Sequence, residues 1–383
     1  MSGGPSLEAR VRAAVEQAFG RPPLGLKRLH GGLATRHFLR VTLPAGARMQ
    51  GGEAAAQRAE GERSAGPRKN AGFAALPGGN PPTLIARVDA EEDPASRPAE
   101  VAPEPDLEPL RGVLEKAGLP VPARYGGSAG IHLLEDLGDT TLQRAAAARS
   151  APERRALYEE ALSLLPVLQR IDDPELPAMG RRLDRTLFDY KARLFARFSL
   201  PLALGREARP AEVRVVTEAF GWIADVLEDA PQRLAHRDFQ SRNLLLHARP
   251  GTAVRVFMID LQGAFLAPPE YDAVSLLCDS YVELSPAERH ELAGWLRPRL
   301  PDAPPDELFS RRFDLLTLTR KGKDHARYLQ AAAAGRDPGY LAAATGAATR
   351  CLRQAADRVA PIDPRLADLA QLVLALPESA CAR

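Results

Sequence analysis

Three oxygen-bearing side chains come close together in this sequence. Asp238 and Asn243 lie in His236-Arg237-Asp238-Phe239-Gln240-Ser241-Arg242-Asn243, and Asp260 follows the apolar run at 254–259. The pattern reads H-R-D-x-x-x-x-N, then a lone Asp at the end of a strand-like stretch. Moving a phosphoryl group from a nucleoside triphosphate to an alcohol needs such a set. One carboxylate must face the attacking hydroxyl, while an amide and a second carboxylate hold magnesium against the phosphates. Asp238 is therefore the candidate catalytic residue, and Asn243 and Asp260 are the candidate metal ligands.

Local pattern predicts how these groups meet. Leu244-Leu245-Leu246 is a short apolar strand and residues 254–259 a β-branched one, with the turn pair Pro250-Gly251 between them. Paired antiparallel, they put Asn243 at the start of one strand beside Asp260 at the end of the other. Magnesium prefers hard oxygen ligands and keeps several waters, so one amide and one carboxylate suffice beside phosphate oxygens. His236 reads as a scaffold that hydrogen-bonds the loop, and Arg237 as a surface or substrate-facing cation. Asp272 opens the next helical stretch and is read as a helix cap that also braces the loop.

The elements that must position these residues fall into two regions. Residues 7–19 carry an amphipathic helix stopped by Gly20-Arg21-Pro22-Pro23. A Gly31-Gly32 turn then feeds the strand at 38–43. Glycines let backbone N–H groups approach phosphates without a Cβ in the way. Residues 44–82 are rich in Gly, Ala, Arg, Glu and Pro, and read as a flexible insertion between two strands. The strand at 83–88 holds Arg87, which reads either as a solvent-facing residue on an edge or as a cation facing nucleotide phosphates. A helix is expected over 106–117. Glu108 in its first turn either pairs with Arg87 or serves as a helix-start carboxylate. The strand at 131–135 runs into a Gly138 linker that can act as a hinge and offer backbone to an adenine edge. Beyond it the chain reads as helical. Stripes are expected over 157–171 with a bend at Pro166, over 186–198, 213–227, 286–297, 306–321, 324–334 and 338–356, and near 364–376.

Composition narrows the functional classes. A chain of 383 residues has room for two lobes, and 45% hydrophobic with 26% charged residues is ordinary for a soluble globular protein. A net charge of +2 supplies no large field for nucleic acid or anionic membrane, and 5% aromatic content argues against base-stacking platforms. Cys278, Cys351 and Cys381 have no metal spacing, and their odd number points to reduced thiols. The expectation is a cytoplasmic monomer acting on a small-molecule substrate, with no signal peptide, no membrane span and no nucleic-acid partner.

Asp272 follows Asp260 too soon to leave room for the long activation segment of a protein kinase, so the helical region must bind something small at the loop. With these residues in place, the chain resembles the aminoglycoside phosphotransferase/choline kinase superfamily. Within it, the chain is most similar to bacterial anomeric N-acetylmuramate/N-acetylglucosamine kinases of cell-wall recycling. The matching stretches are Leu134-Glu135-Asp136-Leu137-Gly138-Asp139, His236-Arg237-Asp238-Phe239, Ser241-Arg242-Asn243-Leu244, Ile259-Asp260 with Gln262, and Tyr271-Asp272 with Ser275-Leu276-Leu277 and Asp279. The resemblance implies an α+β, bilobal protein-kinase-like fold. Residues 1–135 would be a small antiparallel-sheet lobe and 136–383 a large, mainly helical catalytic lobe. It implies ATP and Mg2+ as cofactors, with Asp238 as catalytic base and Asn243 and Asp260 on magnesium. Gly31, Gly32 and Thr35 would cover the phosphates, Glu135 and Leu137 would offer hinge backbone to adenine, and Arg87 would stand where the superfamily places a strand lysine. The acceptor implied is the anomeric hydroxyl of an amino sugar. Choline, homoserine or an aminoglycoside as acceptor, or a nucleotide-binding pseudokinase, are the alternatives.

Overall fold

The structure, a computed structural model, describes residues 6–29, 36–49, 82–89, 103–128, 130–336 and 338–378. Gly31, Gly32 and Thr35, with residues 50–81 of the expected insertion, lie outside the described residues. The chain forms two compact units. The first gathers Met1–Arg97, Pro122–Gly138 and His247–Val254, and the second gathers Pro98–Val121, Asp139–Leu246 and Arg255–Arg383.

The first unit is built on a sheet of β1 (Gly25–Leu29), β2 (His37–Thr42), β3 (Thr83–Val88), β4 (Arg124–Ser128) and β5 (Ile131–Glu135), in the order β1-β2-β3-β5-β4. All four neighbouring pairs are antiparallel. Alternation sends Leu39, Val41, Leu84, Ala86, Val88, Ile131 and Leu133 into one apolar cluster with α1 (Leu7–Phe19), which contributes Val11, Ala14, Val15 and Phe19. Ser6 caps α1 by accepting from Ala9 N–H at 3.3 Å, and Gly20 closes it at φ 67.

Two features of this sheet depart from the sequence reading. Arg87 does not face solvent on an edge: β2 and β5 flank β3 on both sides, and Arg87 is 4% exposed. Strand β4 was not anticipated, because Arg-Tyr-Gly-Gly-Ser has no apolar alternation. Gly127 adopts φ +139, and a Cβ there would stand 2.0 Å from the Ile131 carbonyl oxygen, so only glycine lets the two strands approach.

The second unit is mainly helical. Its helices are α2 (Leu110–Lys116), α3 (Leu142–Ala147), α4 (Ala151–Leu162), α5 (Leu164–Leu168), α6 (Arg185–Leu194), α7 (Leu200–Leu204), α8 (Pro210–Glu228), α9 (Tyr271–Leu277), α10 (Pro286–Leu296), α11 (Asp306–Ala333), α12 (Pro338–Val359) and α13 (Pro364–Leu374). Phe188, Phe195, Phe220, Val216, Leu315 and Leu352 belong to one of its apolar core clusters. Two small antiparallel pairs stand among the helices: β6 (Arg233–Ala235) with β9 (Phe265–Ala267), and β7 (Leu244–His247) with β8 (Arg255–Met258).

Three helical expectations are corrected here. The stripe at 157–171 is two helices, α4 and α5, parted at Ser163. Pro166 lacks an N–H and its ring crowds the carbonyl of Leu162, which ends α4. Helices 306–321 and 324–334 are one continuous α11. Gly322 does not break it, because the glycine answers to packing: a Cβ there would come within 3.2 Å of the Phe195 ring and 3.3 Å of the Phe220 ring. The helix at 186–198 gives way after Leu194 to a π-helical turn at Phe195–Ser199. Glu108 precedes α2, accepting from Gly112 N–H at 3.0 Å and from the Arg111 side chain, which matches the helix-start reading. Among the described residues, no helix is long and apolar enough to cross a membrane.

Candidate active site

The loop after β6 is held from beneath by a buried carboxylate. Asp272, in the first turn of α9, accepts from the backbone N–H of His236 at 2.6 Å and of Arg237 at 3.0 Å. Glu270, rather than Asp272, occupies the cap position of α9. Arg237 sits at φ 77, a left-handed conformation that a side chain with a Cβ adopts at a cost. Two hydrogen bonds to one carboxylate offset that cost. His236 Nε2 donates to the Ile259 carbonyl at 2.9 Å, tying the loop to the end of β8. Burial pushes the Asp272 carboxyl up, and the nearby His236 and its backbone N–H only partly reverse the shift.

The same interactions set Asp238 and Asn243. Asn243 Nδ2 donates to the Asp238 carbonyl at 2.9 Å, which turns its Oδ1 away from that contact. Ser241 N–H donates to the buried Asp279 carboxylate at 2.8 Å, anchoring the short turn between them. The Ile259 N–H donates to the Asn243 carbonyl at 3.0 Å, so the expected neighbouring of strand start and strand end is present. Asp260 then leaves β8 at φ 64 with its side chain exposed, and Gln262 Nε2 donates to its Oδ1 at 2.6 Å. Among the described residues no group of three or more His, Cys, Asp or Glu could hold a metal ion. An amide oxygen and a carboxylate on adjacent backbone fit magnesium that takes its remaining ligands from phosphate and water.

Asp238 is one-third exposed, and its Oδ1 lies 3.4 Å from Arg320 of α11. Burial raises its carboxyl, but the charges of Arg320, Arg237 and Lys323 outweigh it and hold the group below the usual carboxylate range. A Cβ on Gly263 would stand 3.7 Å from Asp238 Oδ2 and 3.5 Å from Arg237 Cδ, so this glycine keeps space beside both. Arg320 also donates to the Tyr271 hydroxyl at 2.8 Å, and its guanidinium lies 5.0 Å from that ring's centroid.

In the first unit, Arg87 is ion-paired to Asp89 at 2.7 Å, and His132 contacts the same carboxylate. Glu135 is buried. Its backbone N–H donates to Ala123 at 2.8 Å, and its carboxylate accepts from Ala123 N–H at 3.0 Å and Arg249 at 2.6 Å. Leu137 is buried next to Gly138, which takes φ 78. Thus Asp238, Asn243, His236 and Asp272 form one hydrogen-bonded group of the second unit, linked through Ile259 to Asp260, the next residue, while Arg87, Glu135 and Leu137 belong to the first.

Sequence reasoning missed the part of the site that comes from distant segments. Arg320 of α11 reaches Asp238 and lies over the Tyr271 ring of α9, which Lys191 of α6 also approaches. Charged residues inside otherwise apolar helical stripes were the available signal, and Lys191 and Arg320 both show it.

A model of the phosphotransferase enzyme family matches residues 73–309, well over half of the chain. The chain is 32% identical over 157 residues to an N-acetylmuramate/N-acetylglucosamine kinase of Neisseria meningitidis serogroup B. That alignment covers 40% of this chain and 44% of the relative, so it spans less than half of the curated protein's length. Among solved structures, the choline kinase LicA from Streptococcus pneumoniae superposes with a TM-score of 0.54 at 13% identity, covering 87% of this chain and 94% of that one. A thermostable mutant of the aminoglycoside phosphotransferase APH(4)-Ia, solved with ADP and hygromycin B, gives a TM-score of 0.51 at 16% identity, covering 91% and 98%. With the five-stranded antiparallel sheet and the helical unit, these likenesses establish the α+β, protein-kinase-like fold.

Proposed function

The chain belongs to the phosphotransferase enzyme family, and we propose that it moves the terminal phosphoryl group of ATP to a hydroxyl of a sugar or amino sugar. The finer reading is the anomeric hydroxyl of N-acetylmuramate or N-acetylglucosamine, which the aligned stretch of the Neisseria relative supports. One observation carries the proposal. Asp238 is held part-exposed on a loop braced by Asp272 and Asn243, with Asp260 presented from the adjoining strand end.

In this reading Asp238 accepts the proton of the acceptor hydroxyl as the oxygen–phosphorus bond forms and ADP departs. A carboxylate kept ionised by Arg320 and Arg237 suits a late proton transfer, in which orientation matters more than basicity. The bracing by Asp272 fixes where that oxygen stands, so positioning supplies much of the rate. Asn243 and Asp260 would hold magnesium, which screens the charge of the phosphates. Backbone of Glu135 and Leu137 would meet the adenine, and Arg87 would serve the nucleotide phosphates.

The test is a turnover screen with N-acetylmuramate, N-acetylglucosamine, plain hexoses, choline and an aminoglycoside, with the phosphorylated carbon assigned by NMR. Asp238→Ala should lower kcat by about 10²–10⁴-fold or more while nucleotide affinity persists. ATP binding without turnover of any acceptor would mark the chain as a pseudokinase. Turnover of choline alone would remove the sugar. An Asp238→Ala protein with wild-type kcat would remove the assigned base.

A further inference from the structure

Two cations share the ring of Tyr271, one of them reaching Asp238, and each has a donor with no acceptor among the described residues. Lys191 lies on α6, one turn before the π-helical turn, and is 5% exposed. Its Nζ stands 4.9 Å from the Phe188 ring centroid and 5.5 Å from that of Tyr271, and it has no hydrogen-bond acceptor among the described residues. Arg320 spends its two terminal nitrogens on Tyr271 and Asp238, while its Nε is buried without an acceptor. Tyr271 thus carries both cations on one ring. The carboxylate of Asp324 is already shared, with Lys321 at 2.9 Å and Lys323 at 2.8 Å. Lys321 is further bound to the Ser280 hydroxyl at 2.8 Å.

Buried ammonium and guanidinium donors are ordinarily satisfied, because removing them from water is costly. Burial, with Lys323 and Arg320 adding to it, pushes the Lys191 amine well below its usual range. An anion brought to this place would supply the missing acceptors and restore the charge. Asp238 cannot be that anion for Lys191, since Arg320 already takes its carboxylate and the lysine makes no hydrogen bond to it.

We propose that Lys191 and Arg320, around the ring of Tyr271, form a subsite for a carboxylate on the acceptor, which makes this enzyme selective for acidic sugar derivatives over neutral ones. The proposal rests on the kinase reading above and adds the substrate class. A carboxylate is favoured over a second phosphate because two donors are left to serve, Lys191 Nζ and Arg320 Nε, and a carboxylate offers two oxygens. A trimethylammonium or polyamine acceptor would meet like charge here, a form of selection by repulsion.

Two measurements test it. First, wild-type enzyme is given N-acetylmuramate, its neutral methyl ester and N-acetylglucosamine, and kcat/KM is compared. The free acid should exceed the ester by about tenfold or more, mainly through KM, the loss expected when a charged group goes unpaired. Equal values for acid and ester overturn the proposal without any variant. Second, Lys191→Met should lower the ratio of acid to neutral kcat/KM by about tenfold, with Lys191→Arg recovering part of it. A fall in kcat shared by all acceptors would assign the cations to the transferring phosphoryl group or to the scaffold, and overturn the subsite. If no sugar is turned over at all, calorimetric titration of the wild-type protein with acid and ester separates the two claims. Preferential binding of the acid keeps the subsite and sinks the kinase reading; equal or absent binding sinks the subsite.

Discussion

Replacing Asp272 by alanine isolates the brace from the chemistry, because this carboxylate faces the loop backbone. Two N–H groups, of His236 and Arg237, lose their acceptor. An unsatisfied buried donor costs about 1–3 kcal/mol, so the pair is worth about 2–6 kcal/mol. Removing a buried charge returns part of this, since burial already disfavours the ionised Asp272; a net of about 2–4 kcal/mol is expected. Arg237 also loses the contact that holds it at φ 77. The cheapest response is local: the loop leaves its native backbone while the helices stay folded. If the open loop is inactive, about 2–4 kcal/mol lowers turnover by roughly 30–1000-fold. Asp272→Asn should be intermediate, because one oxygen still accepts while the amide N–H₂ opposes the second donor. The assay pairs steady-state ADP release with hydrogen exchange at the His236 and Arg237 amides. Turnover within twofold of wild type, with unchanged protection of those two amides, would refute the bracing role.

Two further outcomes are expected on stability. Glu270 is fully buried with Arg312 at 3.5 Å, and burial pushes its carboxyl up to about 7. The native state then keeps a proton that the unfolded chain releases, so this group's contribution is present at acid pH and lost as pH rises toward 7. Glu270→Gln should therefore be more stable than wild type by about 2–3 kcal/mol at pH 8, with the gap closing toward pH 5 in urea melts. A gap that does not change with pH would refute the assignment. Gly127→Ala forces a Cβ to 2.0 Å from the Ile131 carbonyl oxygen at φ +139, and should cost more than about 3 kcal/mol in denaturant titration. A loss below about 1 kcal/mol would show that the β4–β5 approach can relax.

The parts of this architecture legible beforehand are those whose determinants are near in sequence. The loop from His236 to Asn243, the Pro250-Gly251 turn and the strand before Asp260 are contiguous, so period and punctuation alone put Asn243 beside Asp260. Arg87 misled because a charge in a strand looks the same whether water or a neighbouring Asp89 receives it. Gly322 misled because a glycine that admits two aromatic rings has the same letter as one that ends a helix. The meeting of Lys191, Tyr271 and Arg320 comes from three separate helices, and no local pattern encodes it. Strand β4 was invisible for the reverse reason: it holds its place through backbone pairing and glycine, with little apolar content of its own.

The stretch that follows Asp260 carries a consequence of its own. A brief turn at Leu261–Gly263, three residues of β9 and the start of α9 follow in quick succession. In protein kinases that interval is a tether whose phosphorylation decides when the catalyst is competent. Here it is too short and too firmly sewn into β6 to swing or to accept a regulatory mark. In the proposed kinase, therefore, this stretch needs no phosphorylation to take its working conformation.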